Sequence, residues 1–259
     1  MAGEVKAVQD GQSTVLTFSN PGRLNALDSA MWAQLEDLLQ DLLGAPNLRC
    51  LVIRGEGDSA FSSGADISEF DEVRSDAAKA ITFSKPVHRC FHLVRSFPVP
   101  TVAAIRGVCA GGGFELAGCC DLRICSRDST FGIPINRIGA TLCYAELEIL
   151  IRAFGEAVAL ELLLEGRMLD AGEALAKGIV TRVVDGDGFE AELAATVRRI
   201  TSGSPLAARW HKMMVQRLRS REPLTDDDIQ EGFASLDNDE YRRGYRSFLA
   251  KRDAGSGAR

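Results

Sequence analysis

The chain has 259 residues, a formal net charge of −6 at pH 7, 46% hydrophobic and 25% charged residues. That balance is ordinary globular material, long enough to bury a large core, and its acidic sign argues against nucleic acid or an anionic membrane as a general partner. No run of about 18 apolar residues is present, which excludes a transmembrane helix.

Met1 to Lys6 contain no apolar stretch of the secretory-signal type, so the cytoplasm is the expected compartment. Val5 to Val8 and Ser13 to Phe18 read as two strands around the turn Gln9-Asp10-Gly11-Gln12. From Asn25 to Leu43, the apolar residues Leu27, Met31, Leu35, Leu38, Leu39 and Leu42 recur with helical spacing, with Asp28 available near the start. Gly44-Ala45-Pro46 ends that helix, and Leu48 to Arg54 reads as a buried strand. Next comes Ala60-Phe61-Ser62-Ser63-Gly64-Ala65-Asp66-Ile67, a small-residue turn opening a helix. Ile67 to Arg95 is mostly helical in pattern, although Asp71 to Ala80 is charged and rich in small residues, either a loop over a pocket or a solvated helix face. His88 and His92 are four apart, a spacing that sets two ligands on one helix face. No third ligand lies near them in sequence, so a partly buried packing pair without metal is expected.

Pro98 and Pro100 bias their predecessors towards extended backbone, ending the helix before the strand Val102 to Ile105. Gly111-Gly112-Gly113 then precedes Phe114-Glu115-Leu116, again a turn opening a helix. The first N–H groups of a helix lack intrahelical partners, and glycine lets a ligand's atoms come close to them, so an anionic oxygen is the natural guest. Glu115 lies three residues after Gly112, and one helical turn brings it back near the same place. A carboxylate turned inward beside an apolar pocket has its pKa raised, which suits acid–base work near neutrality. Asp121 to Cys125 reads as a strand, Ser129 to Pro134 runs towards the same region, and Gly139 to Phe154 holds the next helix. Asp170 to Gly178 is a short helix with Asp170 as N-cap and Gly178 as its terminator. From Phe189 onward the pattern is helical, and Gly186-Asp187-Gly188 divides a core of residues 1–187 from a helical region, 188–259. The seven cysteines are odd in number and show no CxxC spacing, so they read as buried free thiols.

The two turns together resemble the crotonase (enoyl-CoA hydratase/isomerase) superfamily. Asn20-Pro21-Gly22-Arg23-Leu24-Asn25-Ala26-Leu27, Gly178 to Val184, Tyr241-Arg242-Arg243-Gly244 and Phe248 to Arg252 carry the likeness along nearly the whole chain, in order. The resemblance implies an α/β fold, a spiral of repeated ββα units with a C-terminal helical region that packs on a neighbouring subunit in a trimer or a dimer of trimers. It implies an acyl-CoA thioester as substrate, with no metal and no cofactor beyond the coenzyme A of the substrate. The backbone N–H groups of Ala65 and Gly112 would form an oxyanion hole for the thioester carbonyl, with Glu115 as acid and base. Ala65, Asp66, Ile67 and Ser68 would hold the pantetheine and adenine through backbone groups, and Arg23 and Lys251 would meet phosphates.

The sequence departs from that pattern in one place. Hydratases of the family put a second glutamate directly after the proline of the next site segment, where this chain has Ile135 after Pro134. An aliphatic side chain transfers no proton, and its bulk narrows and dries the cavity. Glu146, eleven residues further on, and Tyr144 are the available substitutes, against the simpler expectations of a solvent-facing Glu146 and a packing Tyr144. The expected function is an enoyl-CoA hydratase/isomerase-type enzyme with one of the two usual glutamates. A decarboxylase of an alkylmalonyl-CoA and a non-catalytic acyl-CoA binder are the alternatives.

Overall fold

The N-terminal runs pair as an antiparallel hairpin of β1 (Glu4–Asp10) and β2 (Ser13–Ser19), with Val5 opposite Phe18. The computed structural model describes residues 3–220 and 222–256, with side chains described up to residue 250. The apolar runs β3 (Cys50–Gly55), β5 (Thr101–Ile105), β7 (Leu122–Ser126) and β10 (Arg182–Val184) add in parallel, giving a six-stranded sheet of order β1-β2-β3-β5-β7-β10. Shorter strands follow three of these: β4 (Ala60–Ser62), β6 (Val108–Ala110) and β8 (Thr130–Gly132). With the antiparallel β9 (Leu169–Asp170) they form a second sheet, β4-β6-β8-β9. Each lap is thus one strand in each sheet followed by helix: α2 (Phe70–Val73) and α3 (Ala77–Ser96), then α4 (Gly111–Cys119), then α5 (Tyr144–Phe154) and α6 (Glu156–Glu165). This is the α/β spiral of ββα units that the resemblance implies.

Helix α1 (Ser29–Leu43) is capped by Asp28, whose carboxylate accepts from Met31 N–H at 2.8 Å and from Gly3 N–H at 2.9 Å. The helical pattern read from Asn25 therefore starts four residues later. Leu24 and Asn25 have φ of 50° and 53°, a left-handed conformation incompatible with a helix start. The Asn25 amide donates to the carbonyls of Ala60 (2.7 Å) and Glu56 (3.1 Å), tying this turn to the connection between β3 and β4. Further on, α7 (Ala171–Ala176) carries the expected N-cap, Asp170, with Glu173 returning to the Asp170 N–H.

The main core lies where the helices close over both sheets, around Phe18, Met31, Trp32, Phe61, Phe91 and Phe114. A second cluster covers the other face of the six-stranded sheet, where Phe189 and Leu193 of α8 (Phe189–Thr201) pack on Cys50, Val52, Val102 and Ile124. Because of that packing, the chain divides after Thr201, one helix beyond Gly186–Gly188, into compact units Met1–Thr201 and Ser202–Arg259. The second unit holds α9 (Pro205–Arg219), α10 (Asp226–Glu231) and α11 (Asp239–Ser256), with Arg217 paired to Asp228 at 2.7 Å. Six cysteines are buried thiols outside any disulfide, as expected, whereas Cys143 is exposed, since it sits in the turn ahead of α5 rather than in a core strand. Among the described residues no helix is long and apolar enough to cross a membrane.

The Asn25 ties make a stability prediction. Asn25→Ala leaves two carbonyls without their donor and keeps a left-handed backbone that alanine disfavours, an expected loss of about 2–3 kcal/mol. A lowered urea midpoint at unchanged slope checks it. A loss below about 0.5 kcal/mol, ordinary for a surface change, would mean that water replaces both bonds.

Candidate active site

Strands β4 and β6 are neighbours in the second sheet and run parallel, so both end at the same edge, and each gives way to a helix-opening turn. After β4, Gly64 takes φ of 101°, where a side chain would be strained. A Cβ on it would stand 3.1 Å from the Ala110 carbonyl oxygen and 3.4 Å from the Gly112 nitrogen, so the two turns touch backbone to backbone. Leu27 bridges to this turn: its N–H donates to the Gly64 carbonyl at 2.7 Å and its carbonyl accepts from Asp66 N–H at 3.0 Å. In such a parallel bridge the residue between, Ala65, turns its own N–H away from Leu27. Among the described residues no backbone carbonyl accepts it. On the facing side, the N-cap of α4 is Ala110, whose side chain offers no acceptor, so the first-turn N–H groups, Gly112 among them, have no cap.

Glu115, on the first full turn of α4, is only 3% exposed, and among the described residues no hydrogen bond reaches its carboxylate. Burial pushes its pKa up to about 8, the neighbouring Glu146 carboxylate pushes the same way, and the Arg74 guanidinium opposes them. Glu146 lies in the first turn of α5 with its side chain 12% exposed, which corrects the expectation of a solvent-facing residue. It turns inward because one carboxylate oxygen accepts from the Cys143 N–H at 2.9 Å, while the other lies 3.5 Å from His88 Nε2. Burial raises the Glu146 pKa, but the contacts from His88 and Cys143 outweigh it and hold the carboxyl below its usual range. Tyr144, by contrast, is 92% exposed and neither packs nor reaches inward, because it points out from the helix start. Ile135 sits in the short 3₁₀ turn Pro134–Ile138, half-buried against the main core. His88 faces α5, whereas His92 is exposed, so the two do not form the expected packing pair.

At the rim of the Gly64 turn, Arg23 Nη1 meets the Asp66 carboxylate at 2.6 and 2.9 Å and also the Ser68 hydroxyl. Asp66 caps the 3₁₀ turn Ile67–Glu69 by accepting from Ser68 N–H at 3.0 Å. Burial raises the Asp66 pKa, and the Ser68 and Arg23 bonds bring it below the usual value. Ile67 is exposed beside them. Arg23, Asp66, Ile67 and Ser68 thus share one rim, whereas the Lys251 side chain lies outside the described residues.

A cavity of about 430 Å³ opens between α1, α2 and α3, with Ser29, Trp32, Val73, Thr82, Phe83 and Pro86 on its walls. Trp32 joins it to the turns, since its ring lies 3.4 Å from where a Cβ on Gly112 would stand. The stretch Asp71 to Ala80, read as loop or solvated helix, forms part of this wall through Glu72, Val73, Ala78 and Lys79. Arg74 stacks over Phe70 and Phe83 at 5.0 and 5.8 Å, which holds its charge near Glu115. Neither Trp32 nor Arg74 stands out in the sequence. A tryptophan on an apolar helix stripe and an arginine in a charged run look like core and surface.

The profile of the family described as enoyl-CoA hydratase/isomerase matches residues 10–256. The crotonyl-CoA hydratase of Syntrophomonas wolfei is 31% identical over 245 residues, 93% of this chain and 92% of that protein. The short-chain-enoyl-CoA hydratase of Clostridium acetobutylicum is 28% identical over 81% of this chain and 79% of that protein. Among solved structures, an enoyl-CoA hydratase/carnithine racemase from Magnetospirillum magneticum superposes with a TM-score of 0.93 at 41% identity, covering 95% of this chain and 92% of the other.

The buried Glu115 carboxyl links stability to pH. Its folded pKa of about 8 lies above the ordinary 4.5, so its contribution is complete below about pH 4.5 and is lost as the pH rises through about 8. The charges facing it are Glu146 from α5 and Arg74 from the turn before α3, with the Cys119 thiol on its own helix. Glu115→Gln, which keeps the shape without the charge, is expected to raise the thermal midpoint relative to the parent more at pH 9 than at pH 6. An equal shift at both would mean that the carboxyl is already ionised at pH 6.

Proposed function

This chain belongs to the enoyl-CoA hydratase/isomerase family, and on that premise we propose that it transfers a proton at the carbon next to an acyl-CoA thioester while Ala65 and Gly112 hold the thioester oxygen. The observation that carries this reading is the buried, unbonded Glu115 carboxyl, placed one helical turn beyond Gly112. When a nucleophile adds to the β-carbon, or an α-proton leaves, negative charge gathers on the thioester oxygen. Two N–H groups already aimed at it need no reorganisation, and each is worth roughly 3–4 kcal/mol in the transition state. Glu115, protonated near neutrality, delivers the proton to the α-carbon, a general-acid contribution of about 10²–10⁴ in rate.

Water addition needs a second carboxylate, and Ile135 is not one. The inward-turned Glu146, close enough to Glu115 to raise its pKa, supplies that group in this reading, with hydration of a 2-enoyl-CoA as the reaction. The acyl chain then occupies the cavity beside Trp32 and Phe83, and the Arg23, Asp66 and Ser68 rim meets the coenzyme A. A second reading, double-bond migration with Glu115 alone shuttling the proton, is favoured by the aliphatic Ile135, which keeps that part of the site dry. Neither reaction needs a cofactor beyond the coenzyme A of the substrate. Exposed Leu218, Phe233 and Phe248 in the second unit support self-association as a trimer or a dimer of trimers, and the cytoplasm is the matching compartment.

Mass spectrometry of a trans-2-enoyl-CoA after incubation in heavy water tests the reading. The expected product has gained water and retains one deuterium on the α-carbon, and Glu115→Gln lowers kcat by about 10²–10⁴ with little change in KM. Double-bond migration without water gain would select the second reading. Full turnover by Glu115→Gln would remove Glu115 from the chemistry, and loss of carbon dioxide from an alkylmalonyl-CoA with no action on enoyl esters would replace both readings by decarboxylation.

A further inference from the structure

We propose that His88, Cys143 and Glu146 form a binding site for one divalent cation of the zinc class. The three side chains come from two elements: His88 from the body of α3, Glu146 from the first turn of α5, and Cys143 from the N-cap of that helix. His88 Nε2 lies 3.5 Å from Cys143 Sγ and 3.5 Å from the Glu146 carboxylate, and one ligand atom from each residue lies within 4.8 Å of the others.

Those separations suit ligands gathered around one ion. A hydrogen-bonded cluster would place imidazole nitrogen and carboxylate oxygen about 2.7–3.2 Å apart. One ring nitrogen also carries either one proton or one lone pair, so it serves one of its two neighbours at a time. Without an ion, a thiol–imidazole bond accounts for the sulfur distance and a long His88–Glu146 ion pair for the oxygen distance, so all three groups already converge on one point. Zinc binds sulfur at about 2.3 Å and nitrogen or oxygen at about 2.0–2.2 Å, and at a tetrahedral angle such ligands stand roughly 3.3–3.6 Å from one another. Both nitrogen distances fall in the range of ligands that share one ion.

The surroundings hold the ligands in place. The second Glu146 oxygen accepts from Cys143 N–H at 2.9 Å, which fixes the carboxylate, as an outer-shell bond does around metal ligands. The His88 ring lies beside Phe91, with centroids 6.4 Å apart. Because Cys143 is exposed, a fourth position stays open to water. One thiolate, one imidazole and one carboxylate suit zinc or cobalt, and not calcium or magnesium, which take oxygen ligands throughout. With the ion bound both Glu146 oxygens are engaged, so ion binding and water activation by Glu146 exclude one another, and the site itself rests on the three residues alone.

The test is a titration of the full-length, chelator-treated protein with cobalt(II), followed by absorption spectroscopy. A thiolate-to-cobalt charge-transfer band that saturates at one equivalent and disappears on adding zinc is expected. Cys143→Ser should abolish the band, and His88→Ala should weaken binding by at least about 100-fold, more than the loss of an outer-shell partner. Both residues lie at or near the surface, so an unchanged circular dichroism spectrum verifies the fold of each variant. No band, or an equal band in both variants, would overturn the assignment, the latter by moving the ion to other thiols. Since the readout is binding, a failed cobalt titration leaves the enoyl-CoA reading untouched, and an inactive enzyme leaves the metal site untouched.

Discussion

Everything at this site depends on one close approach, backbone on backbone, between Gly64 and the start of α4. The spiral makes it possible, because β4 and β6 belong to successive laps yet lie side by side and parallel. Residues without side chains complete it. A Cβ at Gly64 would press on Ala110 and Gly112, and one at Gly113 would stand 2.6 Å from the Ser62 Cβ. Glycine in regular structure costs roughly 0.5–1 kcal/mol per position in unfolded-state entropy. The return is that the backbones of the two turns stand close enough for the Ala65 and Gly112 N–H groups to lie side by side, and among the described residues no backbone carbonyl accepts from Ala65.

Electrostatics then separates the two nearby carboxyls. Glu115 also lies near a helix N-terminus, whose dipole favours a negative charge by about 0.3–1 kcal/mol. Moving a carboxyl from 4.5 to about 8 disfavours its charged form on the order of 5 kcal/mol, so burial wins by a wide margin. Glu146 is buried less completely and brings contacts with it, from the Cys143 N–H and from His88. Two glutamates a few side chains apart are thus pushed in opposite directions, a pattern typical of acid–base pairs.

The hairpin, α1, α7 and both glycine turns were legible in the sequence because their signals are local: alternation, helical spacing, a capping aspartate, a run of glycines. The spiral itself was legible only through the resemblance, since lateral pairing of Ala60 with Val108, 48 positions apart, leaves no local mark. Errors arose where a distant partner decides. Asn25 looks like a helix residue until the carbonyls of Glu56 and Ala60 claim its amide. Helix α8 looks like the start of a separate tail until Phe189 covers the sheet. Glu146 looks solvated, and His88 looks paired with His92, until His88 on α3 meets Cys143 and Glu146 at the start of α5, 55 positions further along the chain.

The contrast between Ile135 and Glu146 shows what holds a carboxylate charged in a largely buried position. Position 135 lies in a short 3₁₀ turn against the apolar core, and the side-chain amide of the neighbouring Asn136 is turned towards the Leu164 carbonyl. A charged group there would have to bring its own donors. Helix α5 starts differently: it is fastened to α4 by Phe154, which stacks on Phe114 at 5.1 Å and lies over Gly118, so its first turn is held at a set position relative to Glu115. A glutamate on that turn finds the Cys143 N–H of its own cap, and His88 comes from the neighbouring helix. Glu146 therefore keeps its charge although it is largely buried, because its own cap and the neighbouring helix supply its partners.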